Sequence, residues 1–188
     1  MAKKRYAEHA MIDLETLDTG PRAVIVSIGV AAFDKSGTTG ATLRCVLNRK
    51  QQKKLGRTES ASTLDWWSKQ SAEARAVFKE KQEKLAAFFV SMRLFLDDNC
   101  PGDRKVWGNG ADFDMVLLNT LYADCGVQPP WKFYNHRCFR TLKSILPADY
   151  AKASAAADKK LGKIVRHDAL GDAIWQAEVA ARLLKRIT

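Results

Sequence analysis

At 188 residues the chain is long enough for one compact domain with its own core, and no apolar run approaches the ~20 residues that a membrane-spanning helix needs. Lys and Arg number 31 against 21 Asp and Glu, a net charge of +10, which points to a polyanionic partner, nucleic acid foremost. Cys45, Cys100, Cys125 and Cys138 form no Cys-x-x-Cys pair, so zinc and dithiol motifs are excluded, and free thiols in a reducing cytoplasm are expected.

Met1-Ala2-Lys3-Lys4-Arg5 is basic, but no apolar stretch follows, so no secretory signal is expected. Residues 9–15 read as a strand with Asp13 and Glu15 near its end. Residues 23–33 read as a longer buried strand, Gly37 to Gly40 as a turn, and 41–47 as a third strand, together an antiparallel meander. Arg49-Lys50-Gln51-Gln52-Lys53-Lys54-Leu55-Gly56-Arg57 is a basic cluster. A short helix opens at Thr63-Leu64-Asp65-Trp66-Trp67, with Ser62 or Thr63 as N-cap. Residues 81–96 place Leu85, Phe88, Phe89, Met92 and Phe95 at helical spacing before Pro101-Gly102 breaks the chain.

A short strand at 105–107 runs into Trp107-Gly108-Asn109-Gly110-Ala111-Asp112-Phe113-Asp114, and residues 113–125 form a helix ended by Gly126 and Pro129-Pro130. Residues 132–134 read as the last strand and 141–146 as a helical turn or two. Residues 150–162, rich in Ala and Lys, show no clear apolar face and read as a mobile loop or short exposed helix. Lys159, Lys160, Lys163 and Arg166 make a second basic cluster leading into His167-Asp168-Ala169-Leu170-Gly171-Asp172 and a helix over 168–187. Either basic cluster alone reads equally well as a solvated loop. The sum is an α/β domain spanning residues 1–188, a mixed sheet flanked by helices.

Acids placed in apolar stretches need partners or metal, because an isolated buried carboxylate is costly. Asp13 and Glu15, two apart on a strand, share one face, while Ile12 and Leu14 face the core. Asp114 lies in the first turn of its helix, on the face of Leu117, Leu118 and Leu121, and Asp112 is the natural cap. Asp172 shares a face with Ala169, Val179, Ala180, Leu183 and Ile187, opposite Glu178, Arg182, Lys185 and Arg186. On that wet face Glu178 and Arg182 can pair at i,i+4. His167, one of three histidines, sits just outside that helix, and imidazole can take a proton near neutral pH. The three clusters together suggest a polynuclear site for divalent cations.

In this order the clusters resemble the DEDDh 3′–5′ exonucleases of the DnaQ-like (RNase T) superfamily. Asp13-x-Glu15 matches the first motif, Asn109 to Asp114 the second, and His167-x4-Asp172 the third, with the histidine that defines the h subgroup. Residues 62–75 and the run Lys132-Phe133-Tyr134-Asn135-His136-Arg137 with Arg140-Thr141 are similar to the phage exonuclease A (DexA) type and related bacterial exoribonuclease-like proteins.

The resemblance implies an RNase H-like fold with a five-stranded mixed sheet, and two-metal phosphodiester hydrolysis. It implies that Asp13, Glu15 and Asp172 hold one Mg²⁺ or Mn²⁺, that Asp13 also reaches the second, supported by Asp114, and that His167 is the general base for the attacking water. Substrates would be 3′ ends of single-stranded DNA or RNA, and products 5′-mononucleotides. Thr16 and Leu17 would lie near the terminal sugar and base, with Leu17 as a wedge or equally a buried loop anchor. Asn109 and Phe113 would border the cleft, and of the two adjacent tryptophans Trp67 is favoured for it. Relatives allow a homodimer, and a cytoplasmic setting in a bacterial or phage-infected cell is expected. A binding module without useful catalysis, or a hydrolase of short oligonucleotides, are the competing readings.

Overall fold

A computed structural model describes residues 6–162 and 164–187. The basic residues 1–5 and Lys163 of the second basic cluster lie outside the described residues. Strands β1 (His9–Thr16), β2 (Ile25–Asp34), β3 (Gly37–Val46), β4 (Lys105–Gly108) and β5 (His136–Cys138) form one sheet in the order β3-β2-β1-β4-β5. The first three strands pair antiparallel as a meander, whereas β4 runs parallel to β1 and β5 parallel to β4. The helices are α1 (Arg49–Lys54), α2 (Ala61–Ser68), α3 (Ala72–Arg75), α4 (Leu85–Asn99), α5 (Asp114–Asp124), α6 (Phe139–Ile145), α7 (Pro147–Leu161) and α8 (Ala169–Leu184). No helix among the described residues is long and apolar enough to cross a membrane.

The two faces of the sheet follow from strand alternation. Ala10, Ile12 and Leu14 of β1 enter a core with Phe88 and Met92 of α4 and Leu118, Leu121 and Tyr122 of α5. Met11 faces the other way, into a core with Phe139 of α6, Ala153 and Ala157 of α7, and Val179 and Ala180 of α8. Each fully buried large apolar side chain contributes roughly 1.5–3 kcal/mol, which offsets what the polar site costs. The same alternation sends Asp13 and Glu15 to the α8 side, and the β1–β2 register shifts between Glu15 and Thr16, re-aiming the chain there.

Several local expectations change. The hairpin turns at Lys35-Ser36, not at Gly37 to Gly40: Asp34 pairs with Gly37, and the Asp34 carboxylate accepts from the Ser36 amide at 2.7 Å. Ser60 caps α2, accepting from the Thr63 amide, so that helix starts at Ala61. Helix α4 starts at Leu85 rather than Lys81, where the Leu85 amide donates to the Gln51 side chain. Residues 132–134 are no strand: Phe133–Asn135 is a 3-10 turn, and pairing with β4 begins at His136. Residues 147–161 form a full helix, because Ala153 and Ala157 make a narrow stripe against α8, too small to register as an apolar face.

Glu178 is not on the wet face but 1% exposed. It does pair with Arg182, and also accepts from Lys160 of α7 and Thr38 of β3 at 2.6 and 2.7 Å. Burial pushes its carboxyl up, but those donors outweigh burial and hold it down at about 2. Ile187, expected to be buried, is 52% exposed beyond the end of α8. The first basic cluster is largely structural. Gln52 bonds both backbone groups of Ile25, and the buried Arg57 guanidinium bridges Asp124 and the carbonyls of Ala23 and Leu117.

Helix α8 lies directly on the sheet because Gly29 has no side chain. Gly29 is paired opposite Asp13, and a Cβ there would fall 2.1 Å from the Ala169 carbonyl oxygen. Overpacking of this kind costs about 1–3 kcal/mol or more, and 1 kcal/mol shifts Tm by about 2–4 °C at this size. Gly29→Ala is therefore expected to lower Tm by about 5–10 °C and to move the first turn of α8 away from β1. A calorimetric melt coincident with wild type would contradict this packing.

Candidate active site

Three elements deliver the acids. Asp13 and Glu15 project from β1 on the α8 side; Asp13 is half-buried and Glu15 is 7% exposed. Asp114 opens α5, 3% exposed, and Oδ2 accepts the Gly110 amide at 3.2 Å. A Cβ at Gly108 would meet that Asp114 oxygen at 2.7 Å, so this strand end must be glycine for the carboxylate to lie against it. Asp112 does not cap the helix: α5 has no side-chain cap. Asp172 lies in the first turn of α8, while Asp168 is the cap, accepting from the Gly171 amide at 2.9 Å. His167 adopts φ 60°, left-handed and unusual for a residue with a side chain, and its amide donates to Asp172 Oδ2 at 2.9 Å.

All five residues line one cavity of about 470 Å³, with Asn109, Phe113, Tyr150, Trp175 and the cations Arg140, Lys143 and Arg166 among its walls. Glu15, His167 and Asp172 each offer a donor atom within 4.8 Å of the others. Gln176, one helical turn beyond Asp172, donates to Asp13 Oδ1 at 2.7 Å.

The acids repel one another in a place where burial has already removed water. Burial, and then the charges of Asp114 and Glu15, raise Asp13 well above the carboxylate range, against the Gln176 hydrogen bond. Glu15 is raised to about 8 by burial first, then by Asp172, Asp168 and Asp114. Burial raises Asp114 to about 6 despite the Gly110 amide, and raises Asp172 despite the His167 amide and Arg166. A cation among them would remove this repulsion, and an all-oxygen carboxylate set suits a hard divalent ion.

Residues 8–184 match the family model of the 3′–5′ exoribonuclease Rv2179c-like domain. The chain belongs to this family. It is a 3′–5′ exonuclease with an RNase H-like fold. It is 25% identical over 187 residues to the exodeoxyribonuclease of Enterobacteria phage T4, covering 86% of this chain and 82% of that protein. The fold is similar to the nuclease domain of 3′hExo, a DEDDh family member bound to rAMP, with a TM-score of 0.59 at 16% identity over 98% of this chain and 95% of that one. It is also similar to S. pombe Pop2p in its Mg²⁺- and Mn²⁺-bound form, with a TM-score of 0.59 at 14% identity over 96% and 84%.

Other cleft expectations divide. Asn109 and Phe113 line the cavity of this exonuclease. Trp67, favoured for the cleft, is instead 3% exposed, packed with Leu17 and Val77, and its indole donates to the Thr16 carbonyl at 2.8 Å. Trp66 faces outward at 40% exposure, its ring edge-on to His167 with centroids 4.8 Å apart. The capped start of α2 at Ser60 sets that rotation. Leu17 is 1% exposed and is the loop anchor, not a wedge. Thr16 lines a neighbouring hollow with Leu14, Glu15, Ser62, Thr63, Trp66 and Phe113.

Sequence reasoning missed Gln176, Arg140 and Lys143. Gln176 had a readable signal, the i+4 position from Asp172. It also missed Arg44 of β3, which bonds Asp168 at 3.2 Å and Glu80 through two nitrogens, bracing the start of α8.

The raised Glu15 makes a stability prediction for metal-free protein. In the folded state this carboxyl holds its proton up to about 8, whereas its ordinary value is 4.5. Unfolding therefore releases a proton between those values, and stability falls as pH rises through that window. The ceiling is about 5 kcal/mol at 1.36 kcal/mol per pH unit. With EDTA at about pH 8.5, Glu15→Gln is expected to melt about 4–8 °C above wild type, an advantage that narrows towards pH 5. Parallel Tm-against-pH curves for the two proteins would refute the raised Glu15 carboxyl.

Proposed function

We propose that this exonuclease removes 5′-mononucleotides one at a time from the 3′ ends of single-stranded DNA or RNA, by attack of water on the terminal phosphodiester. The observation that carries this reading is the convergence of four carboxylates from three separate elements, with His167, on one cavity that also has a cationic wall. Asp13, Glu15, Asp114 and Asp172 would hold two Mg²⁺ or Mn²⁺ ions. When bound, the ions supply Lewis-acid stabilisation of the charge on the attacking and leaving oxygens.

The chain's own residues do the rest. Gln176 orients Asp13. His167 takes the proton from the attacking water. Its backbone tie to Asp172 and the edge of Trp66 fix where the imidazole stands. Arg140 and Lys143 face the phosphate from the α6 side. The exposed ring of Trp66 with Phe113 and Leu14 receives the terminal base, and Thr16 lies at the sugar. The four free cysteines and the phage relative support a cytoplasmic setting.

A time course with 5′-labelled single-stranded DNA and RNA of one sequence, in Mg²⁺, Mn²⁺ and EDTA, tests the reading. Metal-dependent shortening from the 3′ end, one nucleotide at a time, is expected, and the faster ladder names the preferred polymer. Asp13→Ala should abolish it in both metals while the circular dichroism spectrum stays as in wild type. Hydrolysis by that variant at near wild-type rate would sink the assignment.

His167→Ala should lower kcat by ~10²–10⁴ with little change in strand affinity, as for a lost acid–base group. Equal loss of kcat and of binding would make His167 a substrate contact instead.

A further inference from the structure

The turn before β5 presents two aromatic rings to solvent. Phe133 is 81% exposed and Tyr134 56%, their centroids 5.2 Å apart and nearly perpendicular, with Lys132 Nζ 5.6 Å from the Tyr134 ring. The turn is firmly built. Asn135, 2% exposed, donates to Asp103 at 2.7 Å and accepts from Lys105, and Lys132 reaches the same Asp103 carboxylate. Rings held out by a buried anchor are unlike a frayed loop, in which aromatic side chains collapse onto the nearest apolar surface.

Beside them lies a hollow of about 240 Å³ walled by Arg93, Arg104 and Lys132, near Trp131. Arg104 gives one nitrogen to Asp97, and its buried Nη1 has no hydrogen-bond partner among the described residues. Stacking rings next to cationic, phosphate-sized space are the two halves of single-strand recognition. A second copy of this chain fits less well, because a symmetric contact would oppose basic patch to basic patch.

Strand β5 connects this patch to the cavity. It begins at His136, two residues after Tyr134, and pairs Cys138 with Gly108; Arg140 just beyond it lines the cavity. Six residues of extended chain span at most about 20 Å. Arg137 lies between Tyr134 and Arg140 in the chain, its guanidinium donating to the carbonyls of Tyr134 and His136.

We propose that Phe133 and Tyr134, with the hollow of Arg93, Arg104 and Lys132, form an exosite that holds the 5′ side of a single strand whose 3′ end occupies the cavity. This rests on the nuclease reading above. The exosite gives the enzyme a length preference: strands that reach it bind through both sites, and strands too short to reach it bind through the cavity alone.

The test compares wild type with Phe133→Ala/Tyr134→Ala on a dinucleotide and on a single strand of about 16 nucleotides, the upper end of common single-strand site sizes. The double variant should raise KM for the long strand about tenfold or more, leave kcat/KM on the dinucleotide unchanged, and keep the wild-type Tm and sedimentation coefficient. Phe133→Trp should retain long-strand affinity. An unchanged KM for the long strand, with an active wild type, overturns the exosite. So does a changed sedimentation coefficient, which would make the patch an interface between copies. Absence of hydrolysis by wild type on both lengths counts against the nuclease reading itself, and anisotropy titration of the long strand then still decides the exosite.

Discussion

Mutual repulsion among Asp13, Glu15, Asp114 and Asp172, in a cavity largely shielded from water, has to be held in place by everything packed behind it. Left alone, such carboxyls would spread apart or keep their protons: burial displaces all four upward, and at Asp13 and Glu15 the charges of the neighbouring acids add to it. Each acid is therefore mounted on a rigid element. β1 is the central strand, paired on both sides. Gly108 admits Asp114 and Gly29 admits α8, two positions where the missing side chain is what sets the distance between acids. The Glu178 clamp, drawing on α7, α8 and β3, fixes the far side of α8 by charge-assisted hydrogen bonds. A site built from groups that destabilise one another gains from being spread over distant chain segments, because each segment is anchored by its own apolar contacts.

Much of this was legible before any coordinates. Period-two alternation around Asp13 and Glu15 gave the face they share, and helical phase gave the inward placement of Asp114 and Asp172. What misled was finer. The choice between Trp66 and Trp67 turns on the phase of α2, which depends on a cap two residues earlier than Ser62, and several hydroxyl residues in a row offered equal capping chemistry. The status of Glu178 was hidden because its partners, Lys160 and Thr38, lie on other elements; along its own helix only Arg182 was visible. Helix α7 was hidden because alanine carries little hydrophobic signal but packs closely. For Glu178 and α7 the deciding contacts are long-range, whereas the sequence displays only neighbours.

The two basic clusters show the same limit from the other side. Net charge pointed to nucleic acid, while either cluster alone read equally well as a solvated loop. In the first, Gln52 and Arg57 are consumed by the backbone of neighbouring elements. In the second, Lys160 is taken by Glu178, and Arg166 alone of its described members reaches the cavity. The cations that line the cavity with it are Arg140, noted only within a run resembling relatives, and Lys143, within residues read as a helical turn. Clustering in sequence measures solvation more than it measures binding, because a cation useful to a phosphate must stand on a particular wall.

The resulting charge distribution has a functional logic. The protein carries +10 overall, which draws polyanions to it, yet the cavity at the centre of the reaction gathers four carboxylates beside its three cations. A phosphodiester meets attraction at the rim, from Arg140, Lys143 and Arg166, and repulsion within. On the proposed reading, divalent cations held by these acids would reverse the inner sign, and metal occupancy would govern whether the scissile phosphate settles as well as whether it is cleaved. Long-range attraction and final seating are thereby separate steps with opposite dependence on salt and on divalent ion. Monovalent salt weakens the first by screening, and divalent metal enables the second. On that reading the same protein would gather strands without metal and seat their 3′ ends once a divalent ion takes the place of the protons these raised carboxyls hold.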